Sequence, residues 1–201
     1  MLGVKKLCFQ VEEMMDGLMQ KIFLRKIKIQ RGKPILLNKI DFVMFPAKAI
    51  AKLVQKVGED LGEDYLYGLG YDAGMVVAKD FVKKFNWLER SLATRLFDIF
   101  KMFEVMGFGK SDLKVWDSKN NRMLAHVSNH PVLIHSVKLF GKNEKACTFY
   151  RGIFSAHADN ELGIDGCNFI ETQCIRHGSK FCEWSHNYFK KAESKSRKKK
   201  R

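Results

Sequence analysis

Four of the five cysteines lie between Cys147 and Cys182, and this window constrains the fold more than any other stretch. Its order is Cys147, Cys167, Glu171-Thr172-Gln173-Cys174, then Cys182 after seven intervening residues. The stretch from Ile164 to His186 reads as a β-hairpin. Its runs IDGCNFIETQCI and FCEWSHNYF flank His177-Gly178-Ser179-Lys180, where Gly178 is free to take a positive φ. A hairpin centred near Gly178 sets Cys174 directly across from Cys182. Cross-strand Cβ atoms stand roughly 4.5–5.5 Å apart, close enough to share a metal or, with some shift, to form a disulfide.

The rest of the sequence bounds the setting. A length of 201 residues suits one globular domain with a small appendage. The 46% apolar content and sixteen phenylalanines supply a sizeable core or an aromatic-lined cavity. No apolar run approaches the roughly eighteen residues of a membrane span, and the opening MLGVKKLCFQVEEMMDG lacks the pattern of a signal peptide. The expected location is cytoplasmic, where an odd count of cysteines points to thiols or metal rather than a disulfide framework. The net charge of +14 is concentrated at one end: residues 190–201 hold eight Lys/Arg and one Glu. That segment is expected to be a disordered basic tail, either purely solvating or a weak contact for nucleic acid or an anionic surface.

Taken in order, residues 1–45 read as a strand or hairpin region. A turn falls around Arg31-Gly32-Lys33-Pro34, with strands at Leu24–Ile29 and Ile35–Val43. Val11–Met19 fits helix or strand. Pro46 opens a helix whose apolar face is Ile50, Leu53, Val54 and Val57. A break near Gly58–Gly62 precedes further helix to Phe85, and another helix spans about Leu88 to Met106, ended by Gly107-Phe108-Gly109. Gly68-x-Gly70-x-x-x-Gly74 misses the dinucleotide fingerprint, and Gly109-Lys110-Ser111 lacks the first glycine of a phosphate loop. Those glycines are expected to let helices pack closely. Strands at Leu113–Asp117 and Arg122–Val127 follow, joined at Ser118–Asn121. Pro131–Phe140 is ambiguous, and residues 144–160 are helical up to Gly163. The order predicts a single α+β domain, a largely antiparallel sheet packed with several helices.

A metal reading requires Cys147, Glu171, Cys174 and Cys182 to converge. Cys147, at the start of a helix packed on the sheet, can reach the hairpin. Glu171 and Cys174 have opposite parity on a regular strand, so a bulge between them is needed to aim both at one ion. Three thiolates and a carboxylate would close a tetrahedral zinc shell, and a filled shell is structural rather than hydrolytic. Cys167 and His157 are spare candidates. The competing reading treats each cysteine as a small buried hydrophobe.

Tyr67-Gly68-Leu69-Gly70-Tyr71-Asp72-Ala73-Gly74, Gly163, and Cys167 through Cys174 with Gly178 and Cys182 carry a resemblance. The run from about Asp64 to Trp184 resembles the 4-vinyl reductase domain family. That family includes sensor domains of aromatic-responsive bacterial activators and is related to Golgi-transport tethering subunits. The resemblance implies a structural zinc on Glu171, Cys174, Cys182 and Cys147, beside a buried pocket for an aromatic effector. Residues 46–189 would form that ligand-binding domain, and residues 1–45 would help build a homodimer. The activators' ATPase and DNA-binding modules have no counterpart here, so any output is expected to pass to a partner. Phe169, two residues before Glu171, is the first pocket candidate, with Trp116 and His126 after it; ordinary core packing is the alternative for each. The expected function is non-catalytic binding or sensing of a hydrophobic or aromatic molecule. A tetrapyrrole vinyl-reductase-type enzyme or accessory factor and a dimeric adaptor are the alternatives.

Overall fold

The computed structural model describes residues 27–30, 33–36, 40–41, 43, 45–85, 91–120, 122–163 and 166–186. The expectations for Val11–Met19, the turn at Arg31-Gly32 and the basic tail lie outside these residues. The described residues fall in two compact units, with the boundary between Met44 and Phe45. In the first, β1 (Ile27–Gln30), β2 (Lys33–Leu36) and β3 (Ile40–Asp41) form an antiparallel meander. Gln30 pairs with Lys33.

The second unit contains, among its described residues, five helices and a four-stranded antiparallel sheet. The helices are α1 (Ala47–Leu61), α2 (Glu63–Phe85), α3 (Leu92–Val105), α4 (Pro131–Phe140) and α5 (Ala146–Leu162). The strands are β4 (Lys110–Asp117), β5 (Arg122–Ser128), β6 (Ile170–Gln173) and β7 (Cys182–His186), in the order β4-β5-β7-β6. The class is α+β.

Several local readings shift. Pro46 is the N-cap of α1 rather than its first helical residue. The buried stripe of α1 is Ala51, Val54, Gln55 and Gly58, and Leu53 is 63% exposed. The polar Gln55 and the side-chain-free Gly58 occupied the true i, i+3, i+4, i+7 positions and were invisible to an apolar count. Pro131–Phe140 is helical: Pro131 is pre-set for the first turn, and the His130 ring accepts the Leu133 N–H at 3.5 Å. Among the described residues of the first hairpin run, only Ile170–Gln173 pairs as strand.

Helix α5 is the centre of this unit. It is buried almost all round, as a helix with partners on both sides must be: Ala146, Cys147, Tyr150, Ile153, Phe154, Ala156 and Ala158 are all in the core. On one side Phe154 meets Trp184 of β7 edge-on at 4.9 Å and stacks on Phe103 of α3 at 4.2 Å. On the other side α2 approaches backbone to backbone. A Cβ on Gly70 would run into the Phe149 carbonyl, one on Gly74 would lie 2.8 Å from the Ile153 Cα, and one on Gly152 would strike the Tyr67 carbonyl. Tyr67 Oη donates to Ser155 Oγ at 2.7 Å, and Tyr71 donates to Asp159 one turn further on. Gly68, by contrast, faces open space and takes no part in the contact.

Gly70→Ala and Gly152→Ala should therefore each destabilise by about 1–3 kcal/mol through overpacking. Gly68→Ala should be neutral or stabilise by up to ~1 kcal/mol from helix propensity. Denaturant unfolding of the three variants checks this. Burial also pushes His130 from 6.5 down to about 3. Its folded pKa is depressed, so the stability tied to the neutral ring is present above about 6.5 and lost as pH falls towards about 3. His130→Asn keeps a capping side chain without the titration, and its stability should fall less steeply between pH 7 and pH 4.

Candidate metal centre

Pairing across β5, β7 and β6 decides which side chains face the helices. Val127 lies opposite Cys182, Ala125 opposite Trp184, and Glu171 also opposite Trp184. These residues share the face that packs on α5. The register slips between Glu171 and Gln173, leaving Thr172 without a partner. This bulge moves Cys174, one residue beyond the strand, to the same face as Glu171. Thr172 turns the other way, its hydroxyl donating to Glu183 Oε1 at 2.7 Å. After Cys174 a single 3₁₀ turn, Ile175–His177, ends at Gly178 with φ 90°.

Cys147, in the first turn of α5, meets this hairpin. Its Sγ is 3.3 Å from that of Cys174 and 3.4 Å from that of Cys182, while Cys174 and Cys182 are 3.6 Å apart. One ligand atom from each of Cys147, Glu171, Cys174 and Cys182 lies within 4.8 Å of every other. Three sulfurs about 2.3 Å from a tetrahedral ion would stand ~3.8 Å apart, so the triangle needs to open only slightly. All three cysteines are fully buried and unbridged. Contact with the Cys147 and Cys174 sulfurs draws Cys182 down from the usual thiol range, and Cys147 is pushed up by its contacts with Cys174 and Cys182 and by burial. Burial, with the Cys174 sulfur beside it, raises Glu171 to about 7 against the opposing pull of Arg176.

Glu171 supplies an atom that tests the fit. Its Oε2 accepts from Arg176 Nη2 at 2.5 Å, whereas Oε1 is buried with no hydrogen-bond partner. Glu171 belongs to the thiol cluster, and an orphaned buried oxygen on its carboxylate is what a bound cation would satisfy. The residues present fit a metal ion.

Three supporting residues were not anticipated. Glu144 is fully buried, and its Oε2 accepts the Cys147 N–H at 3.2 Å. Arg176 Nη1 donates to the Glu144 carbonyl at 3.2 Å and stands 3.6 Å from Glu144 Oε1. Gln55 of α1 donates to the Asn143 carbonyl and accepts from the Lys145 N–H, each at 3.0 Å, holding the loop that delivers Cys147. An acid three residues before Cys147 at a predicted helix start was the available signal; Arg176 and Gln55 gave none.

The spare candidates stand apart from the cluster. Cys167 is buried near Asp159, and burial pushes its thiol up to about 12. His157 packs edge-on against Phe103 at 4.8 Å. Phe169 is 1% exposed, and its N–H donates to Ser155 Oγ of α5 at 3.1 Å. Trp116 pairs with Met123 on the helix-facing side. His126 lies on the opposite face, 2.7 Å from Glu183 and stacked on Phe181 at 3.9 Å, so it cannot share one cavity with Phe169.

Among solved structures, the chain matches the phenol-responsive sensory domain of the transcription activator PoxR. The TM-score is 0.63 at 14% identity, covering 83% of this chain and 86% of that one. Two weaker likenesses fall below a TM-score of 0.5. One, at 0.47, is a trafficking protein particle complex subunit 3 from Naegleria fowleri covalently bound to palmitic acid (13% identity, 69% and 92% coverage). The other, at 0.44, is a vinyl-4-reductase family protein from Methanocaldococcus jannaschii (19% identity, 74% and 83% coverage). No family model and no curated protein matches the chain. The property shared with the phenol-responsive sensory domain is the fold.

Removing a buried acid that holds a backbone N–H and an arginine should be expensive. Glu144→Ala should cost about 3–5 kcal/mol, whereas Glu63→Ala, which breaks a half-exposed bridge to Lys145, should cost under ~1 kcal/mol. Urea unfolding of both variants measures the contrast.

Proposed function

We propose that the chain is a non-catalytic sensing domain for a hydrophobic or aromatic small molecule, stabilised by a structural zinc ion on Cys147, Glu171, Cys174 and Cys182. The observation carrying the metal half is the orphaned Glu171 Oε1 beside three converging thiols. Soft thiolate donors with one carboxylate favour zinc among common divalent ions. Four protein ligands would fill the shell, so the ion would hold the hairpin to α5 rather than activate water. The likeness to a phenol-responsive sensory domain supports the sensing half. So does the aromatic interior between α3, α5 and β7, where Phe103, Phe154 and Trp184 pack in series. Phe169 and Trp116 belong to that side of the sheet and are the ligand candidates. His126, held by Glu183 and Phe181 on the other face, is not.

Anaerobically purified protein should contain about one zinc per chain by mass spectrometry. Cys174→Ser and Cys182→Ser should lose both the metal and thermal stability, and Cys167→Ser should keep both. Phenol, titrated calorimetrically, should bind the zinc-loaded protein, and Phe169→Ala should weaken that binding at least tenfold while retaining zinc. Absence of zinc from every preparation would end the metal half. Failure of phenol and other small aromatics to bind the loaded protein would end the sensing half.

A further inference from the structure

The three thiols and Glu171 come from two separate stretches of chain. Cys147 arrives in the first turn of α5, while Glu171, Cys174 and Cys182 arrive with the β6–β7 hairpin. Arg176 touches both stretches. Its Nη2 takes Glu171 Oε2 at 2.5 Å, and its Nη1 takes the Glu144 carbonyl at 3.2 Å. Glu144 in turn accepts the Cys147 N–H at 3.2 Å through its own carboxylate. A continuous path of polar contacts therefore runs from one prospective ligand, Glu171, through Arg176 and Glu144, to another, Cys147.

We propose that Arg176 is a positioning residue of the metal centre: it commits one oxygen of Glu171 to itself, leaving the other for the ion, and locks that geometry to the start of α5, which carries Cys147. This deepens the metal reading above and rests on it. Two features argue for an arginine in this role. Its planar fork engages two groups in fixed directions, which a lysine ammonium cannot do. Its charge also stands where negative charge accumulates. Three thiolates and a carboxylate around a divalent ion leave an excess of two negative charges, and a guanidinium in contact with one ligand offsets part of it. Arg176 is only 19% exposed at its side chain, so little solvent screening weakens that effect.

The test uses the full chain, prepared anaerobically without metal, as wild type, Arg176→Lys, Arg176→Gln, Glu171→Gln and the double variant Arg176→Gln/Glu171→Gln. Zinc affinity is read by competition with a chromophoric chelator, and ligand geometry by the visible spectrum of the cobalt(II) form. Loss of a group that orients a ligand typically costs 10–100-fold in metal affinity. Arg176→Gln should therefore bind one metal per chain about 10–100-fold more weakly, with an altered cobalt spectrum. Arg176→Lys should recover only part of the loss. The double variant should be little worse than Glu171→Gln alone, because the arginine acts through that carboxylate. Unchanged affinity and spectrum in both arginine variants, or losses that add in the double variant, would overturn the inference while leaving the metal site intact. A wild-type chain that takes up no cobalt or zinc would overturn the metal reading itself, and this inference with it. Should Arg176→Gln fail to fold, Arg176→Lys carries the comparison.

Discussion

Three sulfur atoms within 3.6 Å of one another in a dry interior cannot all ionise unless a cation joins them. Without one they can share a single negative charge, two thiols donating to the third. In the triangle the Cys182 thiol is drawn down by its two sulfur neighbours, while Cys147 and Cys174 are raised. A fourth donor oxygen beside it, buried and unpartnered, makes the arrangement costly as a purely structural core and consistent as a metal shell. The local architecture reads as the means of bringing these four atoms together.

Helix α5 makes that possible because it faces two ways. Its first turn presents Cys147 to the hairpin, and its middle presents Phe154 to Trp184. Its opposite side sits against α2 so closely that only glycine fits at Gly70, Gly74 and Gly152. Ser155 joins the two sides, accepting from Tyr67 of α2 and from the Phe169 backbone that leads into β6. Disturbance of Phe169 would thus be felt both at the hairpin strand carrying Glu171 and at the α2–α5 contact. This is a short physical route from Phe169 to the rest of the fold.

Much of this was legible in the sequence, for definable reasons. Glycine spacing announced close helix packing because backbone approach leaves no other residue a place, although Gly68 shared the spacing and not the contact. Parity on a strand showed that Glu171 and Cys174 could meet only through a bulge, and the register slips at Thr172. The α+β order followed from where the apolar period changed. What escaped depends on tertiary context. Gln55 is polar on a buried stripe, Glu144 is an acid with no solvent, and Arg176 follows Ile175, just past a run that read as strand. Only Glu144, an acid at a predicted helix start, carried a local mark; Gln55 and Arg176 carried none. The face on which His126 lies escaped for a related reason: it is fixed by pairing with Glu183, which strand composition alone did not determine.

The most direct measurement is X-ray absorption at the zinc edge of the purified protein. The account predicts three sulfur neighbours near 2.3 Å and one oxygen near 2.0–2.2 Å. The oxygen shell should be replaced or lengthened in Glu171→Gln, with the three sulfurs unchanged. A shell of nitrogen and oxygen without sulfur, or a sulfur shell indifferent to Glu171, would contradict it.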